Sequence, residues 1–354
     1  MTIPTEPIGS IPRPAELIQA QHDFAAGTID ADALGALTDR AVADTVRRFE
    51  ATGSPVVTDG EQAKPSFLTY PVSGIADLAP DGLVVPFSDG HTRQLPRLTS
   101  GPFRYAAHAA DHLRAARGHT SAAVKQAVIA PSALSLLYPQ DGIDGYPRER
   151  FLADLLDEAE ADIRTCLDGG AHSVQLDFTE ARLSLKLDPS KGVLHDLIAV
   201  NNQVLDRFSE QERARIGVHT CPGGDWDATH SADVDYADLL PDLFTLRAGS
   251  FYVQLAGEPD RRRVLGVIKD SLPEERRLFI GVTDPIDPRV ETPEEVRDRV
   301  LEAVEFVPVE SLGTCDDCGF SPFADDTSTS RDVAFAKIAA RVEGTRLAEK
   351  ALGV

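Results

Sequence analysis

His219 and Cys221 flank a single threonine, and another cysteine, Cys318, lies far downstream in Asp317-Cys318-Gly319-Phe320. Residues i and i+2 of a strand project to one face. His219 and Cys221 can therefore aim at one ion, with Cys318 completing a thiolate-rich set. One imidazole and two thiolates with a position left open is a zinc pattern suited to catalysis rather than structure. The chemistry expected of it is activation of a thiol.

Other apolar runs also end in reactive residues: Thr58-Asp59-Gly60-Glu61, Gln175-Leu176-Asp177, Gln254 followed by Glu258, Thr283-Asp284 followed by Asp287, and the run leading into Cys315 and Cys318. An isolated Asp after a strand is ordinarily a helix cap or turn former. So many reactive ends become a site only if the strands are parallel and open at one mouth.

The elements needed for that are legible. Apolar runs at Pro7–Ser10, Pro55–Asp59, Ala127–Ala130, Ser173–Phe178, Ile216–His219, Ser250–Leu255, Leu278–Thr283 and Phe306–Gly313 read as strands. Helical spacing separates them. Over Arg150–Asp168 apolar residues recur mostly at three- and four-residue steps until Gly169-Gly170. Thr292-Pro293-Glu294-Glu295 opens another helix with a cap, a proline and acidic first-turn residues. Strand–helix alternation predicts a parallel α/β sheet. About eight units over residues 1–354 predict a single (β/α)8 TIM barrel domain. A doubly wound open sheet is the alternative, weakened by the lack of a Gly-rich nucleotide fingerprint. The Pro-, Gly- and Asp-rich stretch 67–100 reads as a hairpin or lid inserted after the second strand.

A hydrophobic share of 42% suits a globular core, and a net charge of -22 argues against nucleic acid or an anionic membrane as partner. Four cysteines in 354 residues make no disulfide framework. Neither a signal peptide nor a run approaching roughly 18 apolar residues is seen, so a reducing cytoplasm is expected. Cys166 reads as a buried helix residue. Cys315 and Cys318 form a Cys-x-x-Cys that a redox protein or half of a structural zinc site would also use. His22, His91, His108, His112, His119, His172 and His195 read as surface or packing residues, while His230 is the reserve ligand or acid.

Taken in order, Ile8-Gly9-Ser10-Ile11-Pro12-Arg13-Pro14, Asp59-Gly60-Glu61, Gln175-Leu176-Asp177, His219-Thr220-Cys221 and Cys318-Gly319-Phe320 resemble the catalytic barrel of cobalamin-independent methionine synthase and its single-barrel relatives. The resemblance implies a (β/α)8 barrel and a zinc ion that binds a thiol, homocysteine in the synthase. It makes His219, Cys221 and Cys318 the zinc ligands. It assigns Ile8, Gly9 and Ser10 to an amino-acid carboxylate, and Glu61 and Asp177 to its ammonium.

Two departures from the family stand out. The fourth zinc ligand is usually a Glu on the sixth strand. Here the candidates are Gln254, Glu258, or substrate and water. The family's catalytic His after the seventh strand is replaced by Ile286, leaving Asp284, Asp287 or His230 to supply a proton, or no acid step at all. The resemblance implies a zinc-dependent thiol methyltransferase, most simply homocysteine to methionine, with a folate or corrinoid methyl donor. An epoxyalkane:coenzyme M transferase and a barrel that binds corrinoid or pterin without turnover are the alternatives.

Overall fold

The computed structural model describes residues 2–354. Two short strands come first: β1 (Val56–Val57) pairs in parallel with β2 (Ala123–Val124). Six more follow: β3 (Gln126–Ile129), β4 (Val174–Asp177), β5 (Ile216–Thr220), β6 (Ser250–Val253), β7 (Arg277–Thr283) and β8 (Leu312–Asp316). They form a six-stranded sheet in sequential order, every pair parallel. Helical crossovers between neighbouring parallel strands cover the sheet, which explains why its strands are buried runs rather than alternating ones. Parallel order points all the carboxyl ends the same way, and β5, β6 and β8 deliver the residues of interest there.

Two expected strands differ. Pro7–Ser10 is irregular: the chain is bridged to β8 earlier, at Thr5 and Thr314, and prolines at 4, 7 and 12 withhold the donors a longer strand needs. The same segment reaches β1 from the other side, where Thr58 Oγ1 donates to Gly9 O (2.9 Å) and Ile11 N to Gly60 O (3.0 Å). The run expected from Phe306 becomes a strand only at Leu312, because Pro308 and the 3₁₀ turn Val309–Ser311 precede it. The helix expected over Arg150–Asp168 spans Arg148–Asp168, with Cys166 on its buried face. The helix Pro293–Ala303 carries a reciprocal Thr292/Glu295 cap.

Within 67–100, Val84–Pro86 pairs antiparallel with Thr92–Gln94, and Leu78–Ala79 with Arg97–Leu98. Arg93 fastens this hairpin by bonding both Asp225 (2.5 and 3.0 Å) and Asp325 (2.9 and 2.9 Å). Cys315 lies within β8, one residue before its end, in a buried cluster with Ile8, Tyr252 and Phe279.

Candidate active site

His219 and Thr220 end β5, and Cys221 follows directly, so the strand's alternation turns the imidazole and the thiol to one side. Cys318 comes two residues after β8. All three are buried and their ligand atoms lie within 4.8 Å of one another. The two sulfurs are 2.7 Å apart.

Asp177, the last residue of β4, lies beside this group. Its Oδ1 is 3.1 Å from His219 Nδ1 and accepts from Gln175 Nε2 at 2.7 Å. The same Gln175 amide donates to Ile8 O (3.1 Å), tying the N-terminal segment to the site. The Asp317 carboxylate accepts from the backbone of Leu255 (2.9 Å), Ala256 (2.9 Å) and Gly257 (2.6 Å), which locks the end of β6 against the end of β8.

The charges are those of a site that wants a cation. Burial opposes protonation of His219, but Asp177 and Cys318 outweigh it and raise its pKa to about 9. The neighbouring Cys221 thiol, then His219, hold Cys318 down at about 5 against the effect of burial. Burial pushes Cys221 far up, helped by the adjacent Cys318 charge. Two sulfurs and one imidazole this close share protons unless a metal ion replaces them, and the donor set fits zinc.

A cavity of about 640 Å³ opens beside these groups, lined by Ile8, Ser10, Glu61, Asp177, His219 and Cys318 among others. Gly9 takes φ 152° between two of them. Ser10 Oγ accepts from Ser321 N (3.2 Å), and a Cβ on Gly319 would meet that oxygen at 2.1 Å, so Gly319 is what lets Ser10 approach Cys318. Glu61 sits at φ 57°, in the left-handed region unusual for this residue type. Its Oε1 meets Lys64 Nζ at 2.9 Å with both side chains buried. Lys64 also donates to Ala127 O (2.9 Å) and lies 4.4 Å from the Tyr70 ring centroid.

The structure separates the remaining candidates. Gln254 is buried just past β6, and its Oε1 has no hydrogen-bond partner among the described residues. Glu258 instead bonds Arg182 (2.8 Å), and no carboxylate joins the His219/Cys221/Cys318 group among the described residues. Asp284 Oδ1 is used by the backbone of Ile286 (3.0 Å), and Asp287 is partly exposed 3.7 Å from Arg289. Neither lines the cavity, because the loop after β7 turns them into its own capping bonds. His230 does line it, with Nδ1 2.9 Å from Ser231 Oγ. Burial and the nearby Lys186 and Arg182 lower it to about 4, so it is neutral at pH 7 and has no proton to spare as an acid.

Sequence reasoning gave no role to Lys64, Arg182 or Glu180. Lys64 had a signal, since a cation three residues after an acid that folds inward must pair with it. Glu180 and Arg182 had none, because Ser132 and Glu258, their partners, are 48 and 76 residues away.

An imidazole and two thiols gathered at the carboxyl ends of a parallel sheet, over a cavity, define a candidate metal site. The match described as the catalytic domain of cobalamin-independent synthase covers residues 3–341, and the chain belongs to the cobalamin-independent methionine synthase family of methyltransferases. It is 22% identical to a methionine synthase of Thermococcus kodakarensis over 99% of this chain and 94% of that protein. A B12-independent methionine synthase from Shewanella sp. W3-18-1, solved with selenomethionine, superposes with a TM-score of 0.75 at 18% identity, covering 99% of both chains. A structure from Listeria monocytogenes described as a vitamin-B12-independent methionine synthase gives 0.71 at 20% identity over 98% of both. At these identities the two structures establish the shared fold.

Proposed function

We propose that the protein is a zinc-dependent thiol methyltransferase that converts homocysteine to methionine. The observation that carries this reading is the convergence of His219, Cys221 and Cys318 at one mouth beside the Asp177 and Glu61 carboxylates. The six-stranded sheet, β1 and the N-terminal segment bridged to both are read together as one (β/α)8 barrel over the whole chain, with 67–100 as an inserted lid.

His219, Cys221 and Cys318 would hold the metal, with Gln254 Oε1, which lacks a partner among the described residues, as a candidate fourth ligand. Bound zinc supplies Lewis acidity that keeps a thiol ionised near neutral pH. Asp177 fixes the His219 ring through Nδ1, as a carboxylate behind a ligating imidazole does. The remaining faces of Asp177 and Glu61 receive the substrate ammonium, while burial pushes Glu61 up and the paired Lys64 opposes that rise. Ile8, Gly9 and Ser10 present backbone to the carboxylate. The hairpin and the apolar wall exclude water, and in-line attack then gains from proximity. Folate or a corrinoid is the expected methyl source, and a reducing cytoplasm keeps both cysteines available.

The selenomethionine carried by the Shewanella neighbour suits an amino-acid product here. The coenzyme M alternative needs a cation for its sulfonate, and Arg93, which reaches the cavity, is already engaged by two carboxylates. The test compares Glu61→Gln with the parent protein: homocysteine methylation should fall at least about tenfold through lost ammonium binding. Unchanged turnover with homocysteine, or better turnover with coenzyme M, contradicts the reading.

A further inference from the structure

Arg93 grips two carboxylates at once. Its Nε and Nη2 donate to the two oxygens of Asp225 (2.5 and 3.0 Å), and its Nη1 and Nη2 to those of Asp325 (2.9 Å each). Asp225 lies four residues after Cys221, and Asp325 seven after Cys318. The same two loops supply its aromatic neighbours. The guanidinium carbon is 5.2 Å from the Trp226 ring centroid and 4.3 Å from that of Phe323. Each loop that leaves a cysteine thus gives this one cation a carboxylate and a ring.

The loop after Cys221 is shaped by the hairpin. Gly224–Asp225 pairs antiparallel with Ala228–Thr229, and the turn between them, Trp226-Asp227, is left-handed at both residues (φ 48° and 58°). Such turns favour Asn and Gly, so a Trp there is strained and persists only where its surroundings over-determine it. The Asp225 side chain is fully buried, and besides Arg93 it meets His91 Nε2 at 3.0 Å. Ser88 N donates to Thr229 O (2.9 Å). Arg93, His91 and Ser88 all belong to the inserted hairpin.

The sheet does not set the spacing of the two cysteines directly, because β6 and β7 lie between β5 and β8. A direct polar contact between the loops, Trp226 N to Asp326 Oδ2, is long at 3.4 Å. A guanidinium fork on two carboxylates fixes both distance and angle, as a point charge does not.

We propose that Arg93 is a positioning residue of the metal site: with the hairpin closed, it holds the loops after Cys221 and Cys318 at the spacing that a shared ion needs. This rests on the zinc reading for the ion, but not for the bridge. Val85 and Phe87 of the same hairpin line the cavity, so closing the cavity and setting the two thiols become one event.

The test measures zinc affinity of the full-length protein by competition with a chromogenic chelator. Arg93→Met, which keeps an unbranched stem between the rings, should weaken zinc binding by about tenfold. Arg93→Lys should stay nearer to the methionine variant than to the parent, because an ammonium cannot fork two carboxylates. Asp225→Asn and Asp325→Asn should each weaken binding, and the double variant no more than the worse single, since breaking either end opens the bridge. Additive losses, full rescue by lysine, or unchanged affinity in Arg93→Met overturns the proposal. Because Arg93→Met strands the buried Asp225 carboxylate, combining it with Asp225→Asn removes that charge and should show the same loss.

The metal-free protein gives a second readout, by equilibration with glutathione. Cys221 and Cys318 give up two hydrogens and form a disulfide, while glutathione disulfide takes them up as two thiols. Peptide mapping reads the oxidised fraction, and the effective concentration of one thiol at the other should fall at least about tenfold in Arg93→Met. An unchanged equilibrium overturns the proposal. The expected fall in a protein that retains no zinc sinks the zinc reading and leaves the bridge. Zinc retained with neither measurement altered sinks only the bridge.

Discussion

Asp177 Oδ1 and His219 Nδ1 lie 3.1 Å apart, bringing the end of one strand behind the candidate ligand on the next. The contact orients the imidazole and leaves Nε2, 3.5 Å from Asp317 O, as the nitrogen that would ligate a metal.

Asp177→Asn should therefore retain the fold and weaken zinc binding by about 10- to 100-fold, read by competition with a chromogenic chelator. An unchanged affinity would mean that the aspartate serves only the substrate.

Cys221→Ala should abolish stoichiometric zinc retention and methyl transfer together, measured by metal analysis and by methionine formation. Activity in a metal-free Cys221→Ala protein would end the mechanism.

The Lys64–Glu61 pair should show its burial in stability. Lys64→Ala leaves an uncompensated buried carboxylate and should cost about 3–5 kcal/mol in urea unfolding. The double variant with Glu61→Gln should recover most of that, since no charge is then stranded. A cost below about 1 kcal/mol for Lys64→Ala alone would show that water reaches Glu61.

His230 should make the protein acid-sensitive. Its folded pKa, about 4, lies below the ordinary 6.5, so the unfolded chain binds the extra proton first. Stability from this group is complete above about pH 6.5 and is lost as pH falls toward 4. The full swing is roughly 3 kcal/mol. His230→Gln should flatten that limb of a stability–pH curve, and an unaltered limb would assign the acid sensitivity to other groups.

The parts of this site that are local in the chain were legible before the fold. His219 and Cys221 needed only strand alternation, and the ends of β4, β5 and β8 needed only the rule that parallel strands open on one side. What depends on distant partners was not. Glu258 looked like a spare ligand until Arg182 claimed it, and Asp284 looked like an acid until the Ile286 backbone did. The first strand failed because its apolar pattern outweighed its prolines, and the last began late because a 3₁₀ turn has no period-two signature. His230 drew notice only because it follows the strand of His219; that it lines the cavity, and its protonation state, follow from burial and two distant cations that no local pattern encodes.

Zinc-edge X-ray absorption on the purified protein, with and without homocysteine, tests the central claim most directly. The account predicts a shell of one nitrogen and two sulfurs completed by light atoms, gaining one sulfur when homocysteine is added. Bound zinc whose sulfur count stays the same, or a protein that retains no zinc, would contradict it.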